Sequence, residues 1–152
     1  MNAPLTATAD AYCTLIDLPA LLALWSDPLP AGPAGEIALG KFYADPCVIN
    51  GTTTTIAELA AGVLALQGAI SAPSRNILSC HQTDQTVVFA FELQGQHLGP
   101  LPTSAGIVAA TGADLRLRII DILTIADGLI TDVIMVAGEL GALAAAGAVV
   151  VR

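Results

Sequence analysis

Asp121 is the residue whose type and position are best suited to acid/base chemistry. In the segment LRLRIIDILTIA (115–126), strand alternation places it on one face among aliphatic side chains, namely Leu115, Leu117, Ile119, Leu123 and Ile125. A carboxylate among aliphatic neighbours loses hydration, which favours its neutral form and raises its pKa. Such a group can donate a proton to an enolate, or act as acid and base in turn. The alternative is that Asp121 only accepts a hydrogen bond from a nearby Tyr, His or backbone group.

His97 is the second candidate for proton chemistry. It ends the strand-like segment TVVFAFELQGQH (86–97), where alternation puts it on the same face as Phe89. There it could carry a proton or bind a ligand oxygen; otherwise it is a hydrogen-bonded His at a cavity rim. His81 falls on the opposite face from Cys80, so a Cys–His nucleophilic pair is not predicted. With two His in the chain, no metal site and no cofactor are expected.

The apolar faces of these segments predict a ligand pocket. Tyr43 is a packing residue that could line it, whereas Asn50 either faces the pocket or starts a turn. Glu92 and Gln94 fall on the strand face opposite Phe91 and are interpreted as solvated. The expected pocket residues are Tyr43, Asn50, Phe89, Phe91, Ile119, Leu123 and Ile134.

The cysteines indicate neither a disulfide nor a zinc site. Cys13, Cys47 and Cys80 are odd in number, far apart in the sequence and without a CxxC motif. They are interpreted as buried free thiols.

The elements that must position these residues are helices first and strands afterwards, an α+β arrangement. Thr55 and Glu58 form a capping box that begins one helix, and Asp127-Gly128 predicts a two-residue hairpin turn. Residues 98–114 are predicted to be a long loop. The other predicted helices are 12–25, 37–45 and 139–147, and the predicted strands are 47–51, 74–84, 86–97, 115–126 and 129–138. A curved sheet wrapped around the N-terminal helices would enclose a conical core and a cavity.

Length and charge narrow the possible functions. The 152 residues predict a mobile segment over 1–10 and a single domain over 11–152. A net charge of −8 with five Lys and Arg argues against nucleic acid and anionic membranes as partners.

No apolar run reaches the roughly 20 residues that span a bilayer. The first Lys is Lys41, so no secretory leader is expected, and the chain is interpreted as cytoplasmic.

Several motifs resemble a known superfamily over about residues 37–143. KFYADPCVINGTTTTIAEL resembles the early segment of nuclear transport factor two-like proteins. GQHLGP with the later ATG resembles a pattern of SnoaL-like polyketide cyclases, and IIDILTIADGLITDVIMVAGELGAL resembles their closing segment. The resemblance implies a cone-shaped α+β barrel with a deep hydrophobic pocket, commonly a homodimer packed through the sheet.

The resemblance also implies a role for Asp121. In SnoaL-like cyclases the matching Asp is the acid/base of an intramolecular aldol closure, and in ketosteroid isomerases it is kept protonated and donates a hydrogen bond to the dienolate oxygen. The isomerases' second Asp would fall near Asn50, where this chain has no carboxylate. The expected function is therefore a cofactor-independent cyclase or isomerase of a hydrophobic carbonyl compound. Two alternatives stay open: a non-catalytic binder of a hydrophobic ligand, and a dimeric scaffold without a working pocket.

Overall fold

The computed structural model describes residues 13–152, so the predicted mobile segment 1–10 lies outside the described residues. The helices precede most of the strands, as the α+β interpretation predicts. The helices are α1 (Leu18–Ser26), α2 (Pro33–Gly40), α3 (Ile56–Ala69) and α4 (Glu139–Ala145). The strands are β1 (Tyr43–Ile49), β2 (Thr52–Thr54), β3 (Ile70–Thr83), β4 (Thr86–His97), β5 (Leu101–Thr103), β6 (Gly106–Val108), β7 (Asp114–Ala126) and β8 (Leu129–Ala137).

Six strands form one curved, mixed sheet that is not closed, which confirms the predicted fold class. Their order is β2-β1-β8-β7-β4-β3, and only the β1–β8 pair is parallel. The buried side chains of the helices and of the inner sheet face form one connected hydrophobic cluster. β7 lies in the middle of the sheet, so a residue on its inner face is surrounded by protein on both sides.

Helix α3 begins where the capping box predicts. The Thr55 side chain accepts the N–H of Glu58, while the Glu58 carboxylate accepts the N–H of Thr55 at 2.8 Å. The Asp45 carboxylate on β1 also accepts the N–H of Ile56 at 3.1 Å. Two of the helix's unpaired N-terminal N–H groups, those of Ile56 and Glu58, and the N–H of the cap Thr55 are thereby satisfied, and the bond from Asp45 fixes the helix against the sheet.

The β7–β8 hairpin confirms the predicted turn. Asp127 and Gly128 both have positive φ, 52° and 77°, as a turn of type I′ requires. Beyond the turn, Ile130 pairs with Ile125 but Asp132 pairs with Thr124, so Thr131 is an extra residue on β8. This bulge reverses the alternation of the strand, and the residues that follow it face the opposite side from the one that simple alternation predicts.

Several predicted elements differ from the structure, including the strands predicted from residues 47 and 74, which begin at Tyr43 and Ile70. The first helix begins at Leu18 rather than residue 12, after the Asp17 side chain accepts the N–H of Ala20. The predicted helix 37–45 is wrong in position: α2 begins at Pro33, and the chain is already extended in β1 from Tyr43. Pro46 disfavours helical geometry at Asp45, so a helix could not have continued to the predicted end. The predicted loop 98–114 contains the short β5–β6 hairpin.

The cysteine prediction is wrong for two of the three residues. Cys13 and Cys80 form a disulfide across 67 positions of sequence, with their Cα atoms 6.6 Å apart, whereas Cys47 is a buried free thiol. Spacing along the chain gave no sign of the pair because only the fold brings the two segments together. Gln82 reinforces the contact by accepting the N–H groups of Thr14 and Leu15. Disulfides persist mainly in oxidising compartments, and the cytoplasmic location stays a prediction.

Glu92 was predicted to be solvated but is 8% exposed. Its carboxylate receives a hydrogen bond from the Gln94 amide and lies 3.5 Å from the Nε atoms of both Arg116 and Arg118. The outer face of β4 and β7 thus carries an ion cluster within one chain, because Glu92 sits directly opposite Arg118 in the strand register.

Among residues 13–152, no helix is long and apolar enough to cross a bilayer.

Candidate functional site

Asp121 lies at the centre of the inner sheet face. In the strand register it stands between Phe89 of β4 and Met135 of β8. On its own strand the neighbours on the same face, Ile119 and Leu123, are buried. The predicted inward orientation of this face is therefore correct, and the carboxyl group is held among apolar side chains.

The carboxyl group of Asp121 carries an unused hydrogen-bonding atom. Oδ1 is buried and has no hydrogen-bond partner among the described residues. Burial raises the pKa of Asp121 to about 7, against a smaller opposing effect from the positive charge of Arg75. A buried polar atom without a partner costs free energy. The two observations together indicate a group that is protonated for part of the time at neutral pH and is available to a ligand.

Tyr43 and Trp25 form a polar pair inside the same core. The indole Nε1–H of Trp25 donates to the Tyr43 hydroxyl over 3.1 Å. Burial raises the pKa of Tyr43 well above its ordinary value, and the nearby carboxyl of Asp121 acts in the same direction. The hydroxyl of Tyr43 thus stays protonated, and its own hydrogen can be donated to another acceptor.

Arg75 is a site residue that the sequence analysis missed. It extends from β3 toward α1, where its Nη1 donates to Ser26 Oγ at 2.9 Å and its Cζ lies 6.0 Å from the centre of the Trp25 ring. Burial lowers the pKa of Arg75 to about 10, and Asp121 and Tyr43 act in the opposite direction. The sequence carries a signal, since strand alternation places Arg75 on the same face as Ile77, but the polar residues on either side of Arg75 do not indicate that this face points inward.

An apolar cavity of about 140 Å³ lies beside Trp25, and Asp121, Tyr43 and Arg75 are not among the residues that line it. Trp25, Ile119 and Met135 line it from the side of Asp121, and Leu143 of α4 lines it from the other. Glu139 is the one charged side chain in its lining. The volume is below the roughly 300–1,000 Å³ of pockets that enclose a drug-sized ligand, and it suits a single ring or short chain.

The structure separates the predicted pocket residues into two groups. Tyr43, Phe89, Phe91, Ile119 and Leu123 are all buried in the core, and Ile119 lines the cavity. Ile134 is instead 50% exposed on the outer face, because the bulge at Thr131 reverses the alternation. Met135 takes the position on the face of Asp121, where it lines the cavity while remaining 42% exposed. Asn50 is exposed at a turn with φ of 47°, where its side chain accepts the N–H of Met135. Asn50 therefore starts a turn and does not face the pocket, which is the second of the two alternatives that the sequence left open.

His97 and Asp121 are not brought together. Asp121 stands opposite Phe89, and His97 lies eight residues further along β4, roughly 26 Å away at the rise of an extended strand. His97 is fully buried, its Nδ1 is 3.0 Å from Thr111 Oγ1, and its Nε2 has no described partner. It anchors the segment that follows β4. It takes no part in the group of Asp121, Tyr43, Trp25 and Arg75, which is called the Asp121 cluster below.

No group of three or more His, Cys, Asp or Glu side chains within the described part of the chain is arranged to hold a metal ion.

Comparison with known proteins relates the chain to solved structures. No protein-family model and no curated protein matches the sequence. TsrD from Streptomyces laurentii superposes with a TM-score of 0.67 at 19% identity, covering 88% of this chain and 99% of that one. A protein from Jannaschia sp. assigned to the SnoaL-like polyketide cyclases gives 0.65 at 14% identity, covering 99% of both chains.

A third similar structure comes from Catenulispora acidiphila. This hypothetical protein with a ketosteroid isomerase-like fold, solved with trimethylamine, gives a TM-score of 0.62 at 18% identity, covering 85% of this chain and 90% of that one. At such identities the similarity concerns the fold. The chain therefore has the fold shared by the SnoaL-like polyketide cyclases and the ketosteroid isomerase-like proteins.

Proposed function

We propose that the protein is a cofactor-independent cyclase or isomerase of a hydrophobic, polyketide-like carbonyl compound, with Asp121 as its acid/base. The observation that carries this proposal is the buried Oδ1 of Asp121, which has no partner in the described residues, on a carboxyl whose pKa is about 7. At neutral pH both protonation states of such a group are populated. It can therefore accept a proton from a carbon beside a carbonyl and return it elsewhere.

Tyr43 is proposed to bind the carbonyl oxygen. When the α-proton leaves, negative charge develops on that oxygen, and a fixed O–H donor in a water-poor site stabilises it. Trp25 is a positioning residue, because its indole N–H occupies a lone pair of the Tyr43 oxygen and directs the hydroxyl hydrogen elsewhere. His97 lies too far along β4 to share in this proton transfer.

The cyclase form of the reaction balances without a redox partner. Ionised Asp121 removes a proton from the α-carbon, and the enolate carbon forms a bond to a second carbonyl carbon of the same molecule. The new alkoxide then takes the proton back from Asp121. In the isomerase form the proton returns to a different carbon. Neither form requires a metal or cofactor.

Deuterium exchange tests this function without knowledge of the substrate. A panel of apolar ketones and β-diketones in D₂O is incubated with the protein, and deuterium at the α-carbon is followed by NMR. We expect exchange that saturates with ketone concentration and exceeds the buffer rate.

The alternative is a non-catalytic binder, which the apolar cavity beside Trp25 favours. Saturable binding of the same ketones without exchange would support the binder and contradict the enzyme. The absence of both binding and exchange across the panel would contradict both functions.

We also propose that the protein pairs with a second copy through the outer sheet face. Ile120, Ile134 and Val136 are 47%, 50% and 63% exposed there, and Ile120 stands directly opposite Val136. An apolar patch next to the Glu92 ion cluster resembles the core and rim of an interface.

Changing Ile134 to Lys should convert a dimer into a monomer, because it places a charge in the middle of this patch. Light scattering coupled to gel filtration measures the mass. Ile107→Lys is the matched control, since Ile107 is 76% exposed on the separate β5–β6 hairpin and should leave the dimer intact. A monomeric wild-type protein at micromolar concentration would contradict this arrangement.

A further inference from the structure

Arg75 is a partly buried charged residue that uses few of its hydrogen-bond donors within the described part of the chain. A guanidinium has five N–H donors, and one hydrogen bond, to Ser26 Oγ, is found among the described residues. The salt bridges of residues 13–152 all involve Glu92 on the outer sheet face, so no described carboxylate is in contact with Arg75. A partly buried charge without a counter-ion is costly, which makes this position unusual unless a ligand uses it.

The guanidinium is also held in place. Ser26 accepts from Nη1 while donating its own hydroxyl hydrogen to the Leu22 carbonyl at 3.0 Å, so its orientation is fixed by α1. Trp25 lies against the guanidinium at a distance where an aromatic face attracts a cation. An arginine fixed in this manner is pre-organised to bind a planar anion, because little side-chain entropy is lost on binding.

Arg75 and Asp121 lie on the same inner sheet face, on two strands that are separated by β4. Each influences the pKa of the other, and Tyr43 also acts on Arg75. In the strand register Arg75 stands opposite Leu93 and Asp121 opposite Phe89, and both of these β4 residues are buried on the inner face. Yet the two charged groups form no salt bridge. The positive and the protonatable group therefore do not neutralise each other by direct contact.

We propose that the substrate is an apolar keto acid whose carboxylate binds Arg75 while its carbonyl lies at Tyr43 and Asp121. The assignment rests on the proposed function for the carbonyl end, but the carboxylate contact is independent of catalysis. Carboxylate is chosen because its two oxygens match the parallel N–H groups of a guanidinium. The apolar remainder would occupy the cavity lined by Trp25, Ile119 and Met135.

A pair of matched compounds tests the carboxylate contact. The probes are 4-cyclohexylbutanoate and 4-cyclohexylbutanamide, which share shape and differ in charge. Trp25 is the chain's one tryptophan, so its fluorescence reports on the site directly, and calorimetry in parallel measures binding that does not alter fluorescence. At pH 6 most Asp121 is neutral and does not repel the acid. We expect the carboxylate to bind about tenfold more tightly than the amide.

Variants test whether Arg75 causes the preference for the carboxylate over the amide. Arg75→Gln should abolish the preference, whereas Arg116→Gln, the same charge change on the exposed outer face, should keep it. If Arg75→Gln fails to fold, as judged by circular dichroism, Arg75→Lys decides: it keeps the charge, loses the two-donor fork and should reduce the preference several-fold.

Equal affinities in the wild type, no binding of the acid, or a preference unchanged in the folded Arg75 variants would each overturn the proposal. Asp121→Asn separates this proposal from the proposed function. Because it keeps Arg75, it should keep the preference for the acid. A protein that shows the preference but no deuterium exchange would retain the carboxylate site and lose the enzyme.

Discussion

Asp121→Asn is expected to lower kcat for α-proton exchange by about 10²–10⁴-fold, the usual contribution of a positioned acid/base. Asn has nearly the size and shape of Asp but cannot accept and return a proton at neutral pH. The substitution leaves its register neighbours Phe89 and Met135 unchanged, so the ketone should bind with little change. The loss should therefore appear in kcat, while KM stays within a few-fold of the wild type.

The matched control is Asp132→Asn, the same isosteric change on the neighbouring strand β8, outside the Asp121 cluster. It should leave exchange close to the wild-type rate. If Asp121→Asn retained full exchange while the wild type was active, Asp121 would not be the acid/base. If exchange were absent from the wild type but binding were present, the binder would be the better assignment.

The free energy of unfolding should depend on pH through Asp121. Its pKa is about 7 in the folded protein and about 3.9 in an unfolded chain. Below pH 4 both states hold the proton, so Asp121 lowers stability least there. As the pH rises toward 7 the unfolded chain releases its proton while the folded protein still binds it, and folding loses stability. Above pH 7 the loss is complete and constant.

Asp121→Asn removes this loss. Relative to the wild type, the variant should gain about 2–4 kcal/mol of unfolding free energy between pH 4 and pH 8, the upper value following from the full pKa difference. Urea unfolding at several pH values measures the gain, and the difference between the two proteins cancels the titration of all other groups. Asp132→Asn is measured in parallel and shows how much of the change in unfolding free energy comes from removing any carboxylate. A difference that does not change with pH would show that the Asp121 pKa is ordinary.

The sequence by itself determined those features of the structure that depend only on residues close together in the chain. The capping box of Thr55 and Glu58 placed the start of α3, and the Asp127-Gly128 pair placed the β7–β8 turn. Alternation placed Asp121 on the inner face because β7 is regular up to Thr124, where the register shifts. The motifs that resemble the SnoaL-like cyclases led to the correct fold.

Tertiary structure decided what those patterns could not show. The extra residue at Thr131 moved Ile134 outward and Met135 inward, because strand register depends on the partner strand and not on the strand's own sequence. Cys13 and Cys80 meet only because the fold brings the residues just before α1 against β3. Tertiary packing also decided which residues belong to the site. The side chain of Arg75 contacts α1 because distant segments of the chain pack together. His97 shares a strand face with Phe89 but lies at the far end of β4. Local periodicity reports which face a residue occupies, and only the packed sheet fixes how far apart two residues on that face are.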